Sequence, residues 1–218
     1  MTLAIFDLDN TLIGGDSDHL WGQFVDENNL APSANYAQQA DAFYHDYAQG
    51  NLDILAYLRF ALSPLKGQPK AVVDGWHEAF MREKIAPIML PRARQLLDKH
   101  RRRGHTLLII TATNRFITAP IAQALGVEHL IACEGEVIEG VYTGEPLGVP
   151  SFQAGKVVRL QHWLQGRQER LEGAFFYSDS HNDLPLLEQV DHPVAVDPDD
   201  RLRAHAVAAG WEILSLRD

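Results

Sequence analysis

The sequence predicts an α/β fold, a parallel sheet with crossover helices, interrupted after its first strand by a long helical insert. Three observations lead there. Five short apolar runs, at residues 3–6, 106–110, 130–133, 174–177 and 193–196, are each bounded by Gly, Asp, Pro or Asn. From the second onward they alternate with helical patterns, the signature of a parallel sheet. About a hundred residues separate the first run from the second, whereas one crossover needs only a dozen or more.

The elements follow in order. Leu3-Ala4-Ile5-Phe6 is continuously apolar, as strands covered on both faces are. It has neither a basic flank nor a small-residue cleavage site, so it reads as a strand and not as a signal peptide. From about residue 16 to 89, side chains recur at helical spacing, with Trp21, Phe24 and Val25 in one group and Leu55, Leu58 and Leu62 in another. Pro64, Gly67 and Pro69 punctuate the stretch. The chain returns near residues 87–91 and enters a helix over 92–103. That helix ends in Lys99-His100-Arg101-Arg102-Arg103, cations suited to the negative end of a helix dipole. Strands over 106–110 and 130–133 come next, then a small hairpin near 137–142, a helix holding Lys156, and the strands over 174–177 and 193–196. The expected architecture is a Rossmann-like parallel-sheet core, residues 1–14 and 90–218, with a helical cap over 15–89.

Composition limits the function classes. Of 218 residues, 46% are hydrophobic and 22% charged, the balance of a soluble globular chain. No apolar run approaches the ~18 residues that span a bilayer. The formal net charge of −10 argues against a nucleic-acid partner, whose phosphates must be neutralised by Lys and Arg. The single cysteine, Cys133, excludes an internal disulfide and any multi-cysteine metal site. It sits in an apolar run, which suits a small core residue. The cytoplasm is the simplest address, and no feature specifies an oligomeric state.

The chemistry lies at strand ends. Asp7 and Asp9 follow the first apolar run, and residues two apart on extended chain point the same way. Two such carboxylates ~4 Å apart repel by ~4 kcal/mol at an effective dielectric of 20, so a cation or a shared proton is expected beside them. Asp179 and Asp183 end another apolar run. Carboxylates from two strand ends make a hard-oxygen site suited to Mg²⁺. A divalent ion would also answer how so acidic a protein draws in an anionic substrate. Thr111 closes a third run and can donate to a phosphoryl oxygen, as can backbone N–H groups at the next helix start. Lys156 falls early in a helix, a poor place for a cation unless an anion or carboxylate faces it.

Asp7-Leu8-Asp9-Asn10-Thr11, Thr111, Lys156 and Asp179…Asp183 occur in the order of four motifs, and on them the chain resembles the haloacid dehalogenase superfamily. The resemblance implies a phosphatase acting on a small phosphorylated metabolite. Asp7 would be the nucleophile of an aspartyl-phosphate route, and Asp9 the acid and then the base. Mg²⁺ would be held by the Asp7 carboxylate, the Asp9 backbone carbonyl and Asp179. Thr111, Lys156 and the Ala112 backbone would bind phosphate, and Asp183 would act from behind. The helical insert resembles the phosphoserine phosphatase branch, from Gly50-Asn51-Leu52 through Leu58-Arg59-Phe60 to Leu65-Lys66-Gly67. Arg59 matches that cap's carboxylate-reading arginine and Asp16 its amine-reading acid. Two departures touch substrate contacts: Asp16 stands where that branch usually has Glu, and Thr111-Ala112-Thr113 where it has Ser-Gly-Gly. The chain also resembles a bacterial group that includes histidinol phosphatases. Histidinol phosphate and phosphoserine are therefore both expected substrates. A phosphotransferase and a non-catalytic phosphometabolite sensor are the alternatives. Asp9 argues against dehalogenation, which needs no acid there.

Overall fold

The computed structural model describes residues 2–217. Its centre is a seven-stranded sheet in the order β4-β3-β2-β1-β5-β6-β7. The strands are β1 (Thr2–Phe6), β2 (Thr106–Asn114), β3 (His129–Ile138), β4 (Val141–Leu147), β5 (Arg170–Ser178), β6 (His192–Val196) and β7 (Glu212–Leu214). All neighbours pair in parallel except β3 and β4, an antiparallel hairpin at one edge. The α/β fold with a mostly parallel sheet is thus as the sequence predicts. β7, a three-residue edge strand, is an addition to it.

β1 shows how the sheet is covered on both faces. Ala4 and Phe6 join one buried cluster, while Leu3 and Ile5 join the other. Phe6 stacks on Tyr177 at 5.1 Å between ring centroids. Behind them His100 is fully buried, its Nε2 2.9 Å from the Tyr177 hydroxyl. Burial and the neighbouring His105 pull its pKa down to about 4, so it stays neutral. Register fixes the working edge: Phe6 lies opposite Ile109 on one side and Tyr177 on the other. The chain leaves β1 toward β2 and β3 on one side and later toward β5 and β6 on the other. That reversal is where doubly wound sheets bind ligands, beyond the carboxyl ends of the strands.

Four α-helices lie between β1 and the helix that precedes β2: α1 (Ser17–Glu27), α2 (Tyr36–Gln49), α3 (Ile54–Leu62) and α4 (Lys70–Phe80). α5 (Pro91–Arg102) then leads back to the sheet. The outgoing and returning segments run side by side. Ile13 bridges Met89 antiparallel, and Gly14 N–H donates to the Ile88 carbonyl at 2.7 Å. Trp21 anchors α1. It stacks on Phe24 and meets Phe80 and Phe116 edge-on, tying α1 to α4 and to α6 (Arg115–Ala124) behind β2. Aromatic pairs of this kind add ~0.5–1.5 kcal/mol each beyond area burial. At the far end of α2, Tyr47 Oη donates to Ser180 Oγ at 3.4 Å, and Arg201 Nη1 to the Gln49 carbonyl at 3.1 Å. Among the described residues no helix is long and apolar enough to cross a membrane.

Candidate active site

Asp7 directly follows β1, and its N–H donates to the Tyr177 carbonyl of β5 at 2.8 Å. This holds the loop at the sheet edge. The Asp7 carboxylate is buried and accepts from Lys156 Nζ at 2.7 Å through Oδ1. The same ammonium donates to Asp183 at 2.8 Å, and Ser178 Oγ donates to Asp183 Oδ2 at 2.7 Å. One buried cation is thus shared by two carboxylates. Burial pushes the Asp7 pKa up to about 7, with Lys156 opposing and Asp183 and Asp9 reinforcing the rise. Asp179, also driven well up by burial and by the Asp7 charge, accepts from Thr11 Oγ1 at 3.0 Å.

Lys156 reaches this point because α7 (Ala154–Leu164) begins unusually close to the preceding loop. Gln153 takes φ +47°, and a Cβ on Gly155 would overlap the Pro150 carbonyl oxygen. Backbone cannot yield as a flexible side chain can. Gly155→Ala is therefore expected to push back the start of α7 and Lys156 with it. It should cost ~10²-fold in kcat, the price of about 1 Å of misplacement, and ~1–3 kcal/mol of stability from overpacking. Steady-state rates and a urea midpoint test this; wild-type values for both would count against it.

Asp9 points to the other side and is fully engaged. Its Oδ1 accepts from Ser17 N–H at 2.6 Å, and its Oδ2 from Thr113 Oγ1 at 3.0 Å and Thr111 Oγ1 at 3.3 Å. Ser17 and Thr113 are partners that the motif pattern did not single out. Ala112 lies between the two threonines and lines the cleft.

The cleft runs from Asp7 and Lys156 to α1, α2 and α3. Asp16 lines it while its Oδ1 caps α1, accepting from Asp18 and His19 N–H at 2.9 Å. Burial and the Asp9 charge push Asp16 up to about 7. Asp18, absent from the sequence reading, also lines the cleft. It is 8% exposed and is pushed to about 8 by burial and by Asp16. Around the two acids stand Tyr36, Phe43, Tyr44, Tyr57 and Phe60. Their near-helical spacing on α2, from Tyr36 through Phe43, Tyr44 and Tyr47, was the available signal.

Arg59 is not brought to the cleft, which corrects the expectation that it reads a substrate carboxylate. Its Nε pairs with Glu145 of β4 at 2.9 Å, and both side chains are 54% exposed. The reason is helical phase. Tyr57, Phe60 and Ala61 of α3 face the cleft, and Arg59 sits about 200° around the helix from Tyr57. Cys133 is buried, its thiol pushed up to about 12, and takes no part.

Among the described residues no three His, Cys, Asp or Glu side chains gather closely enough to make a metal cage. The donors nevertheless fit Mg²⁺. Asp7 is a buried carboxylate and Asp179 a partly buried one whose pKa the Asp7 charge helps to raise, and Lys156, the lysine lining the cleft among the described residues, is spent on Asp7 Oδ1 and Asp183. Mg²⁺ keeps several waters and is held by one or two carboxylates plus substrate phosphate, so two suffice.

A model of the haloacid dehalogenase-like hydrolases matches residues 4–188. A histidinol-phosphatase of Neisseria meningitidis serogroup C (strain 8013) is 43% identical over 219 residues, 99% of this chain and 99% of that protein. The phosphoserine phosphatase SerB1 of Mycobacterium tuberculosis (strain ATCC 25618 / H37Rv) is 32% identical, over 98% of this chain and 70% of its own length. Among solved structures, a protein of unknown function from Bordetella pertussis Tohama I superposes with a TM-score of 0.91 at 41% identity, covering 99% of this chain and all 100% of the other. A substrate-bound phosphoserine phosphatase shares the fold, with a TM-score of 0.72 at 18% identity over 99% of this chain and 93% of its own.

Proposed function

This chain belongs to the haloacid dehalogenase-like hydrolase family and is a phosphatase of that family; on that premise we propose that it hydrolyses the phosphate ester of a small amino alcohol, histidinol phosphate in preference to phosphoserine, with Mg²⁺. One observation carries the choice. The cleft wall beyond the reaction centre presents Asp16 and Asp18 among aromatic rings, and its one lysine, Lys156, is already shared between Asp7 and Asp183. A substrate ammonium finds two acids there that ionise to meet it. A substrate carboxylate finds acids and no lysine or arginine left over, a mismatch that disfavours it. The name of the 43% identical relative agrees with this reading.

In the proposed chemistry Asp7 attacks phosphorus, the ester oxygen departs, and an aspartyl phosphate forms. Asp9 gives the leaving alkoxide its proton, then takes one from the water that hydrolyses the acyl phosphate. The hydroxyl of Thr113 and the N–H of Ser17 keep Asp9 aimed when the Thr111 hydroxyl turns from it to the substrate. Lys156 balances phosphoryl charge and holds Asp7, with Asp183 and Ser178 fixing the ammonium from behind. Thr111 and the Ala112 N–H donate to the phosphoryl oxygens. Asp7, Asp179 and the Asp9 carbonyl would hold Mg²⁺, which supplies the positive charge that keeps Asp7 ionised and offsets the phosphoryl oxygens. The segment 15–89 serves as the cap over the core formed by 1–14 and 90–218, excluding water when substrate binds.

The test is phosphate release from L-histidinol phosphate, L-phosphoserine and glucose 6-phosphate, with Mg²⁺ and after chelation. The expected kcat/KM for histidinol phosphate exceeds the others by about 10²-fold or more. Chelation should abolish activity and Mg²⁺ restore it. Phosphoserine performing as well, or full activity without metal, would overturn the substrate or the metal assignment respectively.

A further inference from the structure

The acids of the cleft form a series. Asp7 feels Lys156, Asp183 and Asp9; Asp16 feels Asp9; Asp18 feels Asp16 first and Asp9 after it. The backbone N–H groups of Ser17 and Asp18 reach Asp9 and Asp16 in turn. Asp16 and Asp18 thus stand at the start of α1, across the cleft from Asp7 and Lys156. Tyr57 and Tyr36 line the cleft with Asp18, and its charge acts on both phenols. Tyr36 stacks on Phe60 at 4.4 Å between centroids, making a flat apolar wall beside the acid. No Lys or Arg is among the groups that act on Asp18. A carboxylate desolvated to 8% exposure without a cation is costly, and here it faces the open cleft.

We infer that Asp18, flanked by Tyr57, is the specificity-determining residue for the substrate's side chain, accepting an N–H from a nitrogen heteroaromatic ring seated between Tyr36, Phe43, Tyr57 and Phe60. The inference rests on the amino-alcohol reading above and adds a second recognition point to it. Asp16 lies between Asp18 and the reaction centre and meets the ammonium. Asp18 meets the ring one step further out. An imidazole suits that place twice, because its N–H is a donor to the carboxylate and its π-face stacks on aromatic side chains. It ionises near neutrality, and the carboxylate favours the charged ring.

The experiment compares kcat/KM for L-histidinol phosphate and L-phenylalaninol phosphate, which keeps the amine and a flat ring but has no ring N–H. Wild type should prefer the former by about 10²-fold or more, as sites built around a substrate N–H do. In Asp18→Asn the ratio should fall to within about tenfold of unity, and Tyr57→Phe should lower it by about tenfold. A ratio does not depend on the fraction of enzyme folded, so a weakened variant still reports. If Asp18→Asn is wholly inactive, Tyr57→Phe carries the test alone. A wild-type ratio near one overturns the substrate reading and the inference together. A large wild-type ratio that persists in both variants overturns the inference only.

Discussion

Asp7→Asn should lower kcat on the order of 10⁴-fold or more, as loss of a nucleophile does, and yet make the protein more resistant to heat above neutral pH. Both effects come from one environment. The folded-state pKa of Asp7 is raised from 3.8 to about 7, chiefly by burial. A carboxyl raised on folding contributes its stability below the unfolded value and loses it as pH rises through the folded one. For Asp7 that window runs from about 4 to about 7. Asn is neutral throughout and leaves Lys156 paired one to one with Asp183. Without metal, the melting-temperature advantage of the variant should therefore open across that window and hold above it. Thermal scans at pH 4, 6 and 8 beside single-turnover assays test both halves. Residual turnover within tenfold of wild type would remove Asp7 from its role, and an unchanged melting temperature at pH 8 would remove the stored strain.

Lys156→Met is expected to do the opposite to stability. Methionine fills a similar volume without charge, leaving Asp7 and Asp183 buried and facing each other. Breaking a buried pair from one side costs about 3–5 kcal/mol, and turnover should fall by about 10²–10³-fold for the lost phosphoryl partner. The destabilisation should be largest at pH 8 and shrink on acidification, because protonating either carboxyl removes the repulsion. Urea midpoints at pH 8 and pH 5 measure it; equal midpoints for variant and wild type at pH 8 would contradict the shared-ammonium geometry.

The sheet was legible because buried parallel strands are written as continuous apolar runs, and β1, β2, β3, β5 and β6 all are. β7 was not, since Glu212–Leu214 is short and only half covered. That Asp7, Asp9 and Asp179 stand at strand ends was legible because a strand followed by acid is a local pattern, and Lys156 stood out as a cation early in a helix. Asp18 was hidden by an ordinary explanation: an acid in the first turn of a helix already suits the dipole. Only the cleft, which sets Tyr36 and Tyr57 around it, gives it another meaning. Arg59 shows the converse. A match along the chain says nothing of helical phase, and one step along α3 separates Phe60 inside the cleft from Arg59 outside it.

The bond from Ser17 N–H to Asp9 Oδ1 makes an interlock of what look like separate parts. The proton donor is clamped from the sheet by two threonines and from the first turn of α1 by Ser17, one residue from each cleft acid. A substitution at Asp16 or Asp18 that shifts this turn would leave the donor held from one side only, so it should slow departure of the ester oxygen and show in turnover number as well as in half-saturation. Recognition and proton transfer share one turn of backbone, and neither can be altered without the other registering it.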